Sequence, residues 1–595
     1  MSPRLITLVA ASFLVLTARG AGPVPVSNPA FDEWVDDIST AWVRRNPQFA
    51  TSAQYFSGPE QNAVDRQLTS FTAEARAARV DLARRDLDEL ARFDRAKLSP
   101  QQRISADMLE WHLREAVGSE RFRDFNFIFN QFTGLHVRLV NFLSQTHPVR
   151  NRRDVENYLA RLGQVAGQID EGVAQARDAA GRGFLMPRFI ITASLGQFER
   201  FFAGGPSANV LVASLRKRMA AVKSLTDDDR TKFAAEAQAM VADSIIPAFH
   251  RAEALLQSEL PLATDDAGIW RLPHGDLAYA DALHRLTTTD DTAAQIHEIG
   301  LTQVTKIEGE MDGLLKQLGY AEGSIKDRME KLEHDSQPPA EPDPRPMLLA
   351  RYDDILRDAE RRAALLFDLR PKAPIVVERE PSFTEKTAAA HYSSPSKDGT
   401  RPGIFWAPLP GPTYEMAQMK TLVYHEGVPG HHFQIALQQE MDGLPRFRRD
   451  GVFGFVSAHG EGWALYAENL AAENGWYDGD VKGHLGELDA QLFRARRLVV
   501  DSGLHSLHWT RQQAIDYGIR PAEVDRYVVW PGQACSYMIG MLTILDLREK
   551  VKEALGDQFS LKEFHNVVLR AGNVPLPVLR QVIDDYLAGM GVRKP

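Results

Sequence analysis

Residues 424–434, YHEGVPGHHFQ, begin as the zinc-binding helix pattern H-E-x-x-H begins and then depart from it: Pro429 stands four places after His425, and histidines return only at His431 and His432. In a regular helix each residue turns about 100° and rises about 1.5 Å, so histidines four apart share one face and one ion. His431, six places on, points about 240° away from His425. His432 faces correctly but lies on the order of 10 Å along the axis, too far for two ligands each about 2 Å from one metal. Pro429 has no N–H and clashes with the preceding turn, while Gly430 permits backbone angles that other residues avoid. The helix is therefore predicted to bulge or break at "GVP", so that Gly430-His431 replaces the usual x-His pair. His431 is the first choice of second ligand and His432 the alternate.

A zinc site needs a third protein ligand and an open position for water. The next source is "AHGEGWALYAENL", residues 458–470, where Glu461 starts a helix whose apolar stripe includes Trp463, Leu465, Tyr466 and Leu470. Glu468, two turns on, is placed to orient a ligand. A lone histidine is usually a satisfied structural residue. Here three histidines and Glu426 fall within residues 425–432, and a glutamate follows on the next helix, which points to one divalent metal, zinc.

Outward from this stretch, "TYEMAQMKTLVYHE" (413–426) has helical spacing and reads as a long helix delivering His425 and Glu426 near its end. Before it, "APIVVEREP" and "GIFWAPL" are the clearest strand-like runs and predict a hairpin or small sheet over 373–409. The segment "RPGIFWAPL" is either a stabilising strand or an exposed edge to which an extended substrate adds. Earlier still, "HDSQPPAEPDPRP" (334–346) is a proline-broken surface loop, and from 28 to about 369 apolar residues recur at helical spacing. The fold class is mostly α with a small β element beside the site. A region 23–372 of helices and a region 373–595 bearing the metal motif form one continuous body.

The 595-residue chain has 44% hydrophobic and 25% charged residues, the composition of a globular protein, and its net charge of −10 argues against nucleic-acid binding. Residues 1–22 combine Arg4, an apolar run from Leu5 to Leu16 and small residues at Ala18, Gly20 and Ala21, a cleaved secretory signal. With Cys535 the only cysteine, no disulfide forms within the chain and no cysteine near residue 20 carries lipid. The expected product is soluble and exported, periplasmic in a Gram-negative cell, with no membrane anchor after signal cleavage. Nothing in the sequence specifies an oligomeric state. No G-x-S-x-G elbow or P-loop offers competing chemistry.

The string H-E-G-x-P-G-H-H, then E-G-W-A-L-Y-A-E, "RARRLVVDSGLHSLHW" and "RYVVWPGQACSYMIG", resembles the bacterial family known as domain of unknown function 885. Upstream, "NQFTGLH" (130–136), "LPHGDLAYADALHRLTTTDDTAAQIHEIGL" and "SSPSKDGTRPGIFW" extend the resemblance over nearly all of the mature chain. That family is in turn similar to gluzincin metallopeptidases, including oligopeptidases, which are two-lobed helical bodies with a deep cleft. The resemblance implies peptidase action on short peptides, with His425, the histidine of the Gly430-His431 pair and Glu461 as zinc ligands and Glu426 as general base. Tyr537 resembles the gluzincin tyrosine that stabilises the oxyanion, and His505 or His508 are candidates to assist. Arg497 and Arg526 are candidates for a substrate carboxylate, which arginine binds bidentately. The same groups would also serve a metal-dependent amidase or esterase, or survive in a peptide-binding protein without turnover. A carboxylate beside the first histidine favours the enzyme.

Overall fold

The computed structural model describes residues 27–381, 385, 388–397, 399 and 401–592, so the expected signal over 1–22 lies outside the described residues. The N-terminal half is built of helices whose starts follow from their caps. Asn28, Thr72, Ser99, Thr226, Thr292 and Ser324 each accept a first-turn backbone N–H, satisfying a donor that no helical carbonyl reaches. In the longest, Arg152–Gly181, the buried residues Val155, Tyr158, Leu162, Val165, Ile169 and Val173 recur every three or four positions and line one face. The proline-rich loop falls between the helices Ile325–Asp335 and Arg345–Leu366, as its prolines require.

One hydrophobic core runs from Phe31 to Leu587, so the helices before and after residue 372 share an interior. Among the described residues no single helix is long and apolar enough to cross a membrane.

The β element is a three-stranded sheet of β1 (Ile375–Arg379), β2 (His391–Ser393) and β3 (Gly403–Ala407), in the order β1-β3-β2. The two apolar runs read from the sequence are β1 and β3. They pair in parallel, Ile375 opposite Gly403, which rules out a simple hairpin between them; β2 pairs antiparallel with β3, His391 opposite Trp406. β3 is thus the central strand with both backbone edges already bonded. The expectation that "RPGIFWAPL" offers an open edge to a substrate is corrected: the edges belong to β1 and β2.

The long helix expected over 413–426 is also shorter than its spacing suggested, starting only at Met419. The residues before it are strapped to the Ile325–Asp335 helix and the turn after it. Glu333 accepts the N–H groups of Met416 and Ala417 at 2.9 Å each, and Gln337 exchanges two hydrogen bonds with the backbone of Tyr414. These side chains outcompete the helical hydrogen bonds that the segment would otherwise form.

C-terminal helices frame the site. Ser457–Glu473 crosses Ser536–Leu555 at Gly462 and Gly540, where a Cβ on Gly540 would stand 1.8 Å from the carbonyl oxygen of Ala458. Only glycine permits this backbone approach, which fixes Glu461 relative to the turn bearing Tyr537.

Candidate metal centre

The predicted bulge takes a definite form. The helix Met419–Leu422 continues as one wide π turn, Val423–Gly427, then runs extended at Val428 and restarts as His431–Glu440. π turns of this kind bring in an extra residue and re-aim side chains. Gly430 at the restart cannot carry a side chain, because a Cβ would lie 2.0 Å from the carbonyl oxygen of His425 and 2.3 Å from that of Tyr424. The Pro429 carbonyl accepts from the Trp463 indole at 2.9 Å, tying the bulge to the helix that carries Glu461.

This path brings together His425, His431 and Glu461, one ligand atom from each lying within 4.8 Å of the others. Glu461 Oε2 is 3.7 Å from His425 Nε2 and 3.4 Å from His431 Nε2, and the two imidazole rings stand nearly perpendicular at 85°. Two ligand atoms about 2.0–2.1 Å from a tetrahedral zinc are themselves about 3.3 Å apart, so the spacing suits that ion. His425 is buried, whereas His431 and Glu461 keep partial access to solvent, as a position open to water or substrate requires.

Negative charge concentrates around His425. Each ring nitrogen of His425 faces a carboxylate: Nε2 faces Glu461, and Nδ1 meets Glu468 at 2.6 Å. Burial works against a charged ring, but hydrogen bonds to Glu461 and Glu468 outweigh it and push the pKa of His425 up to about 10. Burial likewise opposes ionisation of Glu461, and His425 and His431 overcome it, holding that carboxyl well below its ordinary range. A neutral imidazole donates from only one nitrogen, so both carboxylates are satisfied either by a second ring proton or by a cation held between Nε2 and Glu461 while Nδ1–H donates to Glu468. Glu426, next in the chain and buried, has its pKa raised by burial despite the lowering pull of His425 and His431.

The alternate ligand His432 is committed elsewhere. Its Nδ1 pairs with the Tyr392 hydroxyl at 3.0 Å and its Nε2 with the Ala373 carbonyl at 3.1 Å, binding the β element to the bulge. Both oxygens of Glu468 are engaged away from the converging ligand atoms: one holds His425 Nδ1 and the other accepts from the hydroxyl of Thr421. Thr421 carried no signal in the sequence, since its role depends on a helix some 47 residues away.

The outlying candidates separate clearly. His505 is buried with both ring nitrogens used, Nδ1 accepting from Ile269 N–H and Nε2 donating to the Tyr527 carbonyl, each at 3.1 Å. It has no free atom for an oxyanion. His508 is exposed and stacks on Trp270 with centroids 4.0 Å apart, so it too is a structural residue. Arg497 donates to Tyr527 and Glu523 at 2.9 and 2.8 Å and lies 4.6 Å from the Tyr537 ring centre, which makes it a support for Tyr537 rather than a free carboxylate receptor. Arg526 Nε has no hydrogen-bond partner among the described residues.

The family model for a bacterial protein of unknown function, DUF885, matches residues 47–583. A solved structure described as a "putative lipoprotein" from Colwellia psychrerythraea is 30% identical with a TM-score of 0.85, covering 93% of this chain and 99% of that one. Another, a "putative lipoprotein of unknown function" from Shewanella oneidensis, shares the fold at 18% identity and a TM-score of 0.69, covering 94% and 100% of the two chains. No curated protein matches the chain.

Proposed function

This chain belongs to the DUF885 family, and we propose that it is an exported zinc metallopeptidase that hydrolyses short peptides. The observation that carries the reading is the convergence of His425, His431 and Glu461 at zinc-ligand spacing, with the Glu426 carboxylate on the turn that supplies the first ligand. The gluzincin likeness of the motif supports short peptides as the substrate class. The signal-like N-terminus and the lipoprotein description of the Colwellia structure support export.

His425, His431 and Glu461 would hold the zinc, which would supply acidification of a water and polarisation of a carbonyl. Glu426 accepts a proton from the attacking water and returns it to the leaving nitrogen as the C–N bond breaks, giving a carboxylate and an amine. Burial raises its pKa, which makes it a stronger proton acceptor. Glu468 keeps the His425 proton on Nδ1 and the Nε2 lone pair toward the ligand position. Tyr537, steadied by the Arg497 guanidinium against its ring, is assigned as the donor to the developing oxyanion.

Mass spectrometry of a mixed peptide pool tests the reading. Cleavage by the zinc-loaded chain, abolished by chelation and by Glu426→Gln while that variant keeps its zinc, is the expected result. A zinc-loaded chain that cleaves no peptide refutes it and turns the search to amides and esters.

A further inference from the structure

Arg526 is a charged group that the metal centre does not use. It lies on the helix Pro521–Val529 with its side chain 15% exposed, and its guanidinium carbon is 5.3 Å from the ring centre of Phe132 and 5.8 Å from that of Trp530. One terminal nitrogen donates to Gln533, another lies 3.5 Å from Glu523, and Nε is buried with no hydrogen-bond partner among the described residues. Glu523 bonds more closely to Arg497, at 2.8 Å. Arg526 therefore holds the less satisfied end of this cluster.

Phe132 belongs to the "NQFTGLH" segment, which is otherwise without a role. It is 41% exposed although it stacks on Arg526, and Gln131 beside it donates to the Asp525 carbonyl at 2.9 Å, fastening the segment to the arginine's helix. Gln533 is held in turn: the Gly532 N–H donates to buried Asp501, which also accepts from Tyr279. Gln533 Nε2 donates to Ser457 Oγ at 3.3 Å, and Ser457 lies four residues before Glu461 on the same helix. That turn spans about 6 Å along the axis. The contacts from Glu461 through Ser457 and Gln533 to Arg526 thus add up to roughly 10–15 Å, which limits the separation to about four extended residues at ~3.4 Å each. Along this path Phe455, 50% exposed, covers Gly460, the residue next to Glu461.

We propose that Arg526 and Gln533 anchor the C-terminal α-carboxylate of the peptide substrate, so that a short C-terminal fragment is released. Phe132 and Phe455 are the apolar walls for its side chains. The assignment rests on the peptidase reading and deepens it.

The test uses one peptide sequence made as the free acid, as the C-terminal amide, and as an amide ending in aspartate. The acid is expected to exceed the amide in kcat/KM by roughly 10- to 100-fold, the range of a charge-assisted arginine–carboxylate contact. The ratio should collapse toward one in Arg526→Gln and partly persist in Arg526→Lys. Equal cleavage of acid and amide, or an undiminished ratio in Arg526→Gln, overturns the anchor while leaving the peptidase reading intact. An aspartyl amide that matches the acid overturns the α-carboxylate assignment in favour of a side-chain carboxylate. If no peptide is cleaved, the peptidase reading falls and binding decides the anchor separately. Fluorescent acid and amide peptides are titrated against zinc-loaded Glu426→Gln with and without Arg526→Gln; a preference for the acid that needs Arg526 upholds the anchor, and equal or absent binding overturns it. Should Arg526→Gln not fold, judged by thermal melting, Arg526→Lys and the wild-type ratio carry the same test.

Discussion

Glu468 is not among the three residues that converge as candidate ligands, yet its removal should weaken zinc binding. Its Oε1 lies 2.6 Å from His425 Nδ1, and its other oxygen accepts from Thr421, all fully or nearly fully buried. A hydrogen bond to a charged group is worth about 1.5–3 kcal/mol. Glu468→Gln keeps the volume and one acceptor oxygen but loses the charge, so zinc affinity should fall about tenfold, or about 1.4 kcal/mol. Glu468→Ala loses the acceptor as well and should approach a hundredfold. Competition against a chromogenic chelator reads the dissociation constant directly, without turnover. Thermal stability supplies a second readout. At zinc a hundred times the parent dissociation constant, binding stabilises the fold by about 2.7 kcal/mol, which falls to about 1.4 kcal/mol in Glu468→Gln. Zinc-free melting of each variant separates this from a loss of packing. Unchanged zinc affinity in both variants would refute the claim that Glu468 sets the tautomer of His425.

The two neighbouring histidines should part company. His431→Ala removes a ligand and should leave little bound zinc by elemental analysis, whereas His432→Ala should keep zinc and lose about 1–3 kcal/mol of stability as Tyr392 and Ala373 lose their partner; the reverse pattern would transfer the ligand role to His432. Glu487 gives a pH dependence. It is fully buried, and burial pushes its carboxyl from 4.5 to about 8; its Oε2 has no hydrogen-bond partner among the described residues and lies 3.9 Å from His484 Nε2. The folded state then holds a proton that the unfolded state has released, so stability is complete below about pH 4 and declines by up to about 1.4 kcal/mol per unit as pH rises toward 8. Glu487→Gln should flatten that decline, raising the melting temperature at pH 8 and changing it little at pH 4.5; a parallel shift at both pH values would count against the buried acid as its source. Gly430→Ala should destabilise the zinc-free chain and lower zinc affinity together, because the new Cβ meets the carbonyls of His425 and Tyr424; calorimetry with and without zinc tests both.

The helical body was readable because amphipathic spacing and caps are local properties of a chain. Residues 152–181 carry their stripe and their Asn151 cap in sequence order, and no distant partner is needed to recognise them. The break after Gly427 was equally legible, because Pro429 cannot continue the helix and Gly430 can leave it. By contrast, the segment before Met419 looked helical and is not, since its backbone donors go to Glu333, more than eighty residues earlier. Strand runs at 375–379 and 403–407 were visible, but their parallel pairing and the insertion of β3 between two partners are facts of arrangement.

The sequence by itself determined that His425, Glu426, His431 and Glu461 are the groups to examine, because their chemistry and their spacing around a helix breaker are local. Only the tertiary structure placed His431 beside His425 and Glu461 and turned His432 away, because Tyr392 and the Ala373 carbonyl, which occupy His432, are brought to it by the sheet. It likewise separated Arg526 from Arg497 and removed His505 from the site. Each of those decisions turns on which hydrogen-bonding atoms are already used, and long-range packing alone settles that.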